Sequence, residues 1–239
     1  MTAEPLIRIT GVRKVFGAQA VLDGVSLEVR RGEAVALLGG NGAGKTTLLK
    51  IVGTVMRPTA GVVLVAGHDG VRDAEAVRRV LGFAGHGAWV YDDLTARENL
   101  RFWTTLNGRA ASDDEVAAAL GAVDLERVAG ARVRTFSAGM KRRLTLARLT
   151  LSRPAALLLD EPFAGLDQRA KKWLEGYLET FKSRGGALLM VTHTFGRELG
   201  VADRIAILAG GRIALDSPRA GLDLDDLQRL YAAHAEEGA

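Results

Sequence analysis

Apolar and polar positions alternate along the first part of the chain in a pattern that predicts strands. Two alternating runs, residues 6–15 and 21–29, are separated by glycine and polar residues. Alternation with a period of two places successive side chains on opposite faces of a strand, so both runs predict antiparallel strands. The next run, residues 33–38, is almost continuously apolar, as expected for a strand that is buried on both faces.

A helix is predicted directly after a glycine-rich loop, from residue 45 to about residue 56. Pro58 is expected to end this helix, because proline disfavours the helical conformation of the residue before it. Two further strands are predicted at residues 61–66 and 80–84.

Helical signals replace strand signals beyond residue 87. Thr95 and Glu98 form a capping box, in which a hydroxyl residue is followed three positions later by glutamate, and Ser112 and Glu115 form a second one. Apolar residues at helical spacing follow each box. These features predict a helical lobe over residues 87–145, inserted in an α/β core.

Buried strands return after the lobe. Residues 155–159 and 187–191 are fully apolar and predict central strands of a parallel sheet. Further strands are predicted at 205–208 and 212–215. The chain is therefore predicted to be a single domain, residues 1–239. Its α/β core comprises residues 1–86 and 146–221 and includes an N-terminal antiparallel β region. The lobe comprises residues 87–145, and an amphipathic C-terminal helix lies within 222–239.

Composition narrows the class of protein. A hydrophobic content of 48% and a charged content of 25% are ordinary for a soluble globular protein. No run approaches the roughly 20 apolar residues that span a bilayer, and the first residues lack a secretion pattern. The absence of cysteine excludes disulfides and thiolate metal sites. A net charge of +4 suits an acidic partner, but the basic residues are scattered, so we expect surface arginines and no nucleic-acid partner.

The loop before the first predicted helix has the spacing of a phosphate-binding loop. Its sequence, GGNGAGKTT, begins at Gly39 and places Lys45 and Thr46 after Gly44. Glycines let backbone N–H groups surround a polyphosphate, and the helix N-terminus adds its dipole. Lys45 is expected to reach the β- and γ-phosphates, and the Thr46 hydroxyl is expected to bind Mg²⁺. The predicted nucleotide-binding residues of this loop are Gly39, Asn41, Gly42, Ala43, Gly44, Lys45, Thr46 and Thr47. A plain glycine turn is disfavoured by the strand before the loop and the helix after it.

Three polar residues follow the predicted central strands. Asp160 and Glu161 come directly after one apolar run, and His193 lies two residues beyond the other. A carboxylate at the end of a buried strand is costly unless it faces a metal or a donor. An acidic turn and a surface histidine are the alternatives, and the phosphate-binding loop upstream argues against them.

The segment Ser137-Ala138-Gly139 begins a predicted helix that also carries Arg142 and Arg143. A serine at a helix N-terminus is a good cap, and the free N–H groups and the hydroxyl there suit an anion.

Taken in this order, the four segments resemble the nucleotide-binding subunit of ATP-binding-cassette (ABC) transporters over nearly the whole chain. The resemblance implies an α/β fold, with a P-loop NTPase core of the ABC ATPase type, an antiparallel β subdomain and an inserted helical lobe. It implies an ATPase with ATP and Mg²⁺ as cofactors. Asp160 would hold Mg²⁺ together with Thr46, Glu161 would polarise the attacking water, and His193 would contact the γ-phosphate.

The resemblance also implies a homodimer that encloses two ATP molecules. Ser137, Ala138 and Gly139, which depart from the usual Leu-Ser-Gly-Gly-Gln spelling, would complete the ATP site of the opposite subunit. Asp167 would lie in the loop that links the two sites. Phe16 occupies the place of an aromatic residue that stacks on adenine, with core packing as its alternative.

His86 stands where the family usually has a glutamine that contacts Mg²⁺ or the attacking water. A ring nitrogen can accept a hydrogen bond, but Mg²⁺ prefers oxygen ligands, so direct metal contact by His86 is not expected. Gly85-His86 together with residues 98–100 looks like the haem exporter ATPase of cytochrome c maturation. Residues 139–144 are also similar to exporter ATPases for drugs, polysaccharides or lipids. Haem export is the leading hypothesis and these exporters are its alternative.

The partner implied is a separate integral membrane permease, which would hold the chain at the cytoplasmic face of the cell membrane. Trp89, Val90 and Tyr91 are expected to form part of the groove that receives it, with packing inside the lobe as the alternative. The rival classes are a non-transport ABC ATPase that acts on nucleic acid and a P-loop kinase.

Overall fold

The computed structural model describes residues 4–85, 89–193 and 195–235. The strands in these residues are β1 (Pro5–Phe16), β2 (Gln19–Arg30), β3 (Ala34–Leu38), β4 (Ala60–Val65), β5 (His68–Asp69), β6 (Leu81–Ala84), β7 (Ala156–Asp160), β8 (Ala187–Val191), β9 (Arg204–Ala209) and β10 (Arg212–Pro218). The helices are α1 (Lys45–Val52), α2 (Ala74–Val80), α3 (Ala96–Leu106), α4 (Asp113–Ala122), α5 (Ala138–Ser152), α6 (Gln168–Ser183), α7 (Arg197–Val201) and α8 (Leu224–Ala235).

The strands form two sheets. A four-stranded antiparallel sheet has the order β2-β1-β4-β5, and a six-stranded sheet has the order β10-β9-β3-β8-β7-β6. In the second sheet β9, β3, β8, β7 and β6 are parallel, and β10 pairs antiparallel with β9 at one edge. The predicted fold class, an α/β core with an antiparallel β region, is confirmed.

Alternate residues of the central strands belong to two different hydrophobic cores. Val35 and Leu158 pack with α1 and the antiparallel sheet, whereas Ala36 and Leu157 pack with α6 on the other face. Every residue of β3, β7 and β8 is buried. This confirms the two-sided burial expected from the continuous apolar runs, and it leaves only the strand ends for polar chemistry.

A third core lies within the predicted lobe and is formed mainly by α3, α4 and α5. It contains Leu100, Leu120 and Leu144. Both predicted capping boxes are present: the Glu98 N–H donates to Thr95 Oγ1 at 3.2 Å, and the Glu115 N–H donates to Ser112 Oγ at 3.2 Å. None of the described helices is long and apolar enough to cross a membrane.

Helix α5 contributes to two cores at once. Its Ala147 packs in the lobe, whereas Leu146 and Leu149 pack beneath the parallel sheet. Residue 145, the predicted end of the lobe, therefore lies inside a continuous helix. The division into core and lobe at this residue stays a prediction.

Two predicted boundaries were wrong. Helix α1 ends at Val52 rather than near residue 56, because Thr54 adopts a left-handed φ of 58° and the N–H groups of Val55 and Met56 turn back to Lys50 O. The chain therefore turns before it reaches Pro58. Strand β6 begins at Leu81, because Val80 is the last residue of α2, a helix that the hydrophobic pattern did not predict.

We predict that the lobe core contributes strongly to stability. Leu120 is 1% exposed, whereas Leu106 on α3 is 58% exposed. The Leu120→Ala variant should lower the free energy of unfolding by about 2–5 kcal/mol, because it removes buried methyl groups and leaves a cavity. The matched Leu106→Ala variant should change it by less than about 0.5 kcal/mol. Urea unfolding followed by circular dichroism measures both, and equal effects would contradict the packing described.

Candidate active site

The predicted site residues converge at one edge of the parallel sheet. Strands β3, β8 and β7 are neighbours, and their carboxyl ends lead into the glycine loop, Thr192-His193 and Asp160-Glu161 respectively. Ligands of open α/β sheets bind at this edge. The sheet therefore brings together residues that are more than a hundred positions apart in the chain.

The glycine loop is pressed closely against neighbouring backbone. A Cβ on Gly39 would lie 2.4 Å from Leu208 O, and a Cβ on Gly44 would lie 2.7 Å from Leu22 Cδ2 and 2.9 Å from Val21 O. Gly44 also has φ 100°, in the left-handed region. Both positions therefore require glycine, which fixes the path of the loop against the neighbouring strands.

Helix α1 begins at this loop and offers positive potential to an anion. Gly44 caps the helix without a side-chain bond, and the first turn carries no acidic residue. The first N–H groups of a helix have no partner within the helix. Asn41 and Gly42 are exposed in the loop, while Ala43 and Thr47 are half-buried.

Lys45 lies across the loop. Its Nζ donates to Gly39 O at 2.6 Å and to Gly40 O at 2.8 Å. Burial lowers the pKa of Lys45, and the negative charges of Glu161 and Asp160 partly oppose this shift. A cationic donor is therefore held inside the loop, next to the helix N-terminus.

Thr46 and Asp160 form a pair of oxygen ligands suited to a hard divalent cation. The Thr46 hydroxyl lies 3.5 Å from Asp160 Oδ2, and Asp160 is only 4% exposed. Mg²⁺ binds through one or two protein oxygens and keeps several waters. The two side chains fit the predicted Mg²⁺ site.

Glu161 is held between two residues that follow strand β8. Its Oε1 lies 2.6 Å from His193 Nδ1, and its Oε2 accepts a hydrogen bond from the Thr192 hydroxyl at 3.3 Å. The Glu161 side chain is largely buried, whereas that of His193 is 61% exposed. This arrangement can orient a water molecule at the entrance of the site.

The backbone of Glu161 is strained. Its φ of 50° is left-handed, a conformation that costs a non-glycine residue roughly 1–3 kcal/mol. The Glu161 N–H donates to Val191 O at 2.9 Å, and its carbonyl accepts from the Ala164 N–H at 3.1 Å. These bonds direct the carboxylate towards His193.

Arg142 is a site residue that the sequence analysis missed. It is 9% exposed, and its guanidinium donates to the main-chain carbonyls of Asp160 and Glu161 at 3.0 and 2.9 Å. The sequence analysis placed it only on the helix that begins after Ser137. The overlooked signal was its helical spacing with Leu146 and Leu149, which face the core.

The residues predicted for the opposite subunit lie apart from the glycine loop. Ser137 caps α5 by accepting the Met140 N–H at 3.2 Å, and Asp167 caps α6 by accepting the Ala170 N–H at 2.8 Å. Ser137 and Ala138 are exposed, and Gly139 faces Gly165 O. Among the described residues, no hydrogen bond joins this segment to the loop.

The remaining predicted residues have separate outcomes. Phe16 is 46% exposed with Lys14 Nζ 5.1 Å from its ring centroid, so the alternative of core packing does not hold. His86 lies outside the described residues.

Trp89 is 51% exposed and lines a groove of about 280 Å³ together with Trp103 and other residues of the core and lobe. Val90 packs against the lobe core, as the alternative for this segment expected.

Comparison with known proteins identifies relatives over most of the chain. The ABC transporter family model matches residues 22–164. The daunorubicin resistance ATP-binding protein DrrA3 of Streptomyces coeruleorubidus is 37% identical over 217 residues, which cover 88% of this chain and 67% of that protein. The Nod factor export ATP-binding protein I of Paraburkholderia xenovorans is 36% identical over 220 residues, which cover 91% of this chain and 72% of that protein.

A solved structure has the same fold. The dimeric ATP-binding cassette MJ0796, in a post-hydrolysis state with ADP and Pi bound, matches with a TM-score of 0.81 and 25% identity, over 90% of this chain and all of that one. The family match and this fold agree with the geometry of the glycine loop and of the carboxylates beside it. The chain belongs to the ABC transporter family and is an ATP-hydrolysing, ATP-binding subunit of such a transporter.

Proposed function

We propose that this chain is the motor subunit of an ABC exporter, and that it works as a homodimer on a separate integral membrane permease at the cytoplasmic face of the cell membrane. The observation that carries this proposal is the grouping of Lys45, Asp160, Glu161 and His193 at one edge of the sheet. This grouping supplies a cationic hydrogen-bond donor for phosphate, a metal ligand, a carboxylate that can orient water and a histidine that contacts this carboxylate.

The residues divide the work of hydrolysis. The loop amides and Lys45 bind the β- and γ-phosphates, and Thr46 and Asp160 hold Mg²⁺, which neutralises phosphate charge when bound. Glu161 orients and polarises the attacking water, and His193 holds both this carboxylate and the γ-phosphate. The water attacks the γ-phosphorus, and ADP leaves as phosphate is released. Phe16 offers an exposed ring for adenine stacking.

A second copy of the chain completes each site. The exposed Ser137 and the N-terminus of α5 bind the ATP held by the partner's loop, with Ala138 and Gly139 allowing close approach. Gly165 O lies next to Gly139, and the loop that contains Gly165 and Asp167 links the two sites. The dimeric state of MJ0796 supports this arrangement. ATP binding closes the dimer and hydrolysis opens it.

The permease binds at the groove beside Trp89. This groove lies between β6 of the core and the helices of the lobe, so a rotation of the lobe changes its shape. Tyr91 and Phe102 form an edge-to-face pair at 4.7 Å, and both are partly exposed. Exposed aromatic residues are common anchors of protein interfaces.

The exported substrate is a drug, a polysaccharide or a lipid. The names of the two relatives support this class, since they refer to drug resistance and to Nod factor export. Haem export in cytochrome c biogenesis, favoured in the sequence analysis, becomes the second candidate. It rests on the spelling of Gly85-His86 and residues 98–100, and neither relative's name refers to haem.

The Glu161→Gln variant should trap an ATP-bound dimer. Loss of the carboxylate that polarises water should lower kcat by at least about 100-fold, while the loop still binds ATP. Size-exclusion chromatography should show a dimer with ATP and a monomer with ADP. The matched Glu179→Gln variant, which changes an exposed glutamate of α6, should behave like wild type. A Glu161→Gln protein that stays monomeric with ATP contradicts the sandwich dimer.

The membrane partner and the substrate class are tested by co-purification. The tagged chain, expressed with its native neighbouring genes and extracted in mild detergent, should retain one integral membrane protein in stoichiometric amount. Trp89→Ala should lower its recovery, whereas Val62→Ala, which changes an exposed residue of β4, should not. A haem absorption band in the complex supports the second candidate, and its absence supports the first. Recovery without any membrane protein contradicts the transporter role.

A further inference from the structure

Arg142 joins three main-chain carbonyls at the carboxyl ends of the neighbouring strands β7 and β6. Its Nη2 donates to Asp160 O at 3.0 Å and to Glu161 O at 2.9 Å, and its Nη1 donates to Gly85 O at 2.9 Å. The first two carbonyls belong to the last residue of β7 and to the residue after it, whose side chains are the site carboxylates. The third follows β6 and directly precedes His86.

Burial of this guanidinium is costly, which makes a purely packing role a poor explanation. Burial lowers the pKa of Arg142, and the charges of Asp160 and Glu161 partly offset this effect. Its Nε–H is buried and has no hydrogen-bond partner among the described residues. A buried polar group without a partner destabilises the fold, because its lost hydration is not replaced. An apolar side chain at position 142 could pack against the ends of β6 and β7 without the cost of burying a charge.

One hydrogen bond of Arg142 is made to the strained backbone of Glu161. The Glu161 carbonyl accepts from both Arg142 Nη2 and the Ala164 N–H, while the Glu161 N–H is held by Val191 O. The left-handed φ of Glu161 persists only if its surroundings hold it. Val191 ends the buried strand β8, and Ala164 is an exposed residue between β7 and α6, so of these three partners only Arg142 belongs to helix α5.

Helix α5 also carries the segment that is proposed to bind ATP across the dimer. Ser137 is its cap and Arg142 is the fifth helical residue, so the two are separated by roughly 7 Å of rigid helix. A movement of Ser137 towards ATP in the partner therefore moves the guanidinium as well. Arg148, further along α5, donates to Phe83 O at 2.7 Å and adds a second link to β6.

We propose that Arg142 is a positioning residue of the ATPase, which couples the placement of helix α5 to the backbone of Glu161 and to the carbonyl of Gly85. Binding of Ser137 to the ATP of the partner then places the Glu161 carboxylate where it can polarise the attacking water. This inference rests on the proposed function, because it assigns Arg142 a role in ATP hydrolysis by the dimer.

The test compares Arg142→Gln with Arg109→Gln. Arg109 is a matched control, since its guanidinium also donates to a main-chain carbonyl. This carbonyl belongs to Leu151, near the C-terminal end of α5 and away from Ser137. Arg142→Gln should lower kcat by about 10- to 100-fold, because a small misplacement of a reacting group has this effect, with the KM for ATP changed by less than about 3-fold. Arg109→Gln should keep kcat within about 2-fold of wild type.

A second readout does not depend on turnover. Amide hydrogen exchange of the nucleotide-free chain should become faster at Ala164, whose N–H bonds to Glu161 O, in Arg142→Gln and not in Arg109→Gln. Arg142→Lys keeps the charge but not the planar fork, so its kcat should stay closer to that of Arg142→Gln than to wild type. It replaces Arg142→Gln in both measurements if that variant does not fold.

The outcomes separate this inference from the proposed function. Wild-type kcat in Arg142→Lys, or parallel losses of kcat and ATP affinity in Arg142→Gln, contradict the positioning role. Unchanged exchange at Ala164 also contradicts it. A wild-type chain that does not hydrolyse ATP contradicts the proposed function instead, while the exchange experiment still reports whether Arg142 holds the Glu161 backbone.

Discussion

The constraint on which the rest of the structure depends is the complete burial of the three central strands. Every side chain of β3, β7 and β8 lies in one of two hydrophobic cores, except that of Asp160, the last residue of β7. A charged group further inside these strands would lose its hydration without compensation. The proposed phosphate, metal and water chemistry is therefore confined to the carboxyl ends of the strands, and the neighbouring positions of the three strands bring these ends together.

The site is built from two units whose relative placement matters for its chemistry. The core supplies the glycine loop, Asp160, Glu161 and His193, whereas Ser137, which is proposed to bind the partner's ATP, caps a helix that packs in both the lobe and the core. Arg142 lies where these units meet. The proposed motor function needs such a junction, because the binding energy of ATP would reach the permease through a change in the relative placement of core and lobe.

Much of this organisation follows from local sequence signals. Continuous apolar runs identify buried strands, and the hydroxyl and glutamate of each capping box identify where α3 and α4 begin, because these signals arise within a few residues. The glycine spacing likewise predicts the loop at Gly39. Features that depend on distant partners could not be predicted. The end of α1 is a local exception, because Thr54 adopts a left-handed φ that a non-glycine residue rarely takes. The left-handed backbone of Glu161, by contrast, is held by Val191, thirty positions away. The contacts of Arg142 with the site could not be predicted for the same reason, since its partners lie at the ends of β7 and β6.

The central claim is that a functional ATP site requires two copies of the chain. The most direct measurement is the specific ATPase activity of the purified wild-type chain as a function of its concentration, at saturating ATP and Mg²⁺. The account predicts that the activity per subunit rises with concentration and reaches a plateau as dimers form. An activity per subunit that is constant at every concentration, in a protein shown to be monomeric, would contradict it.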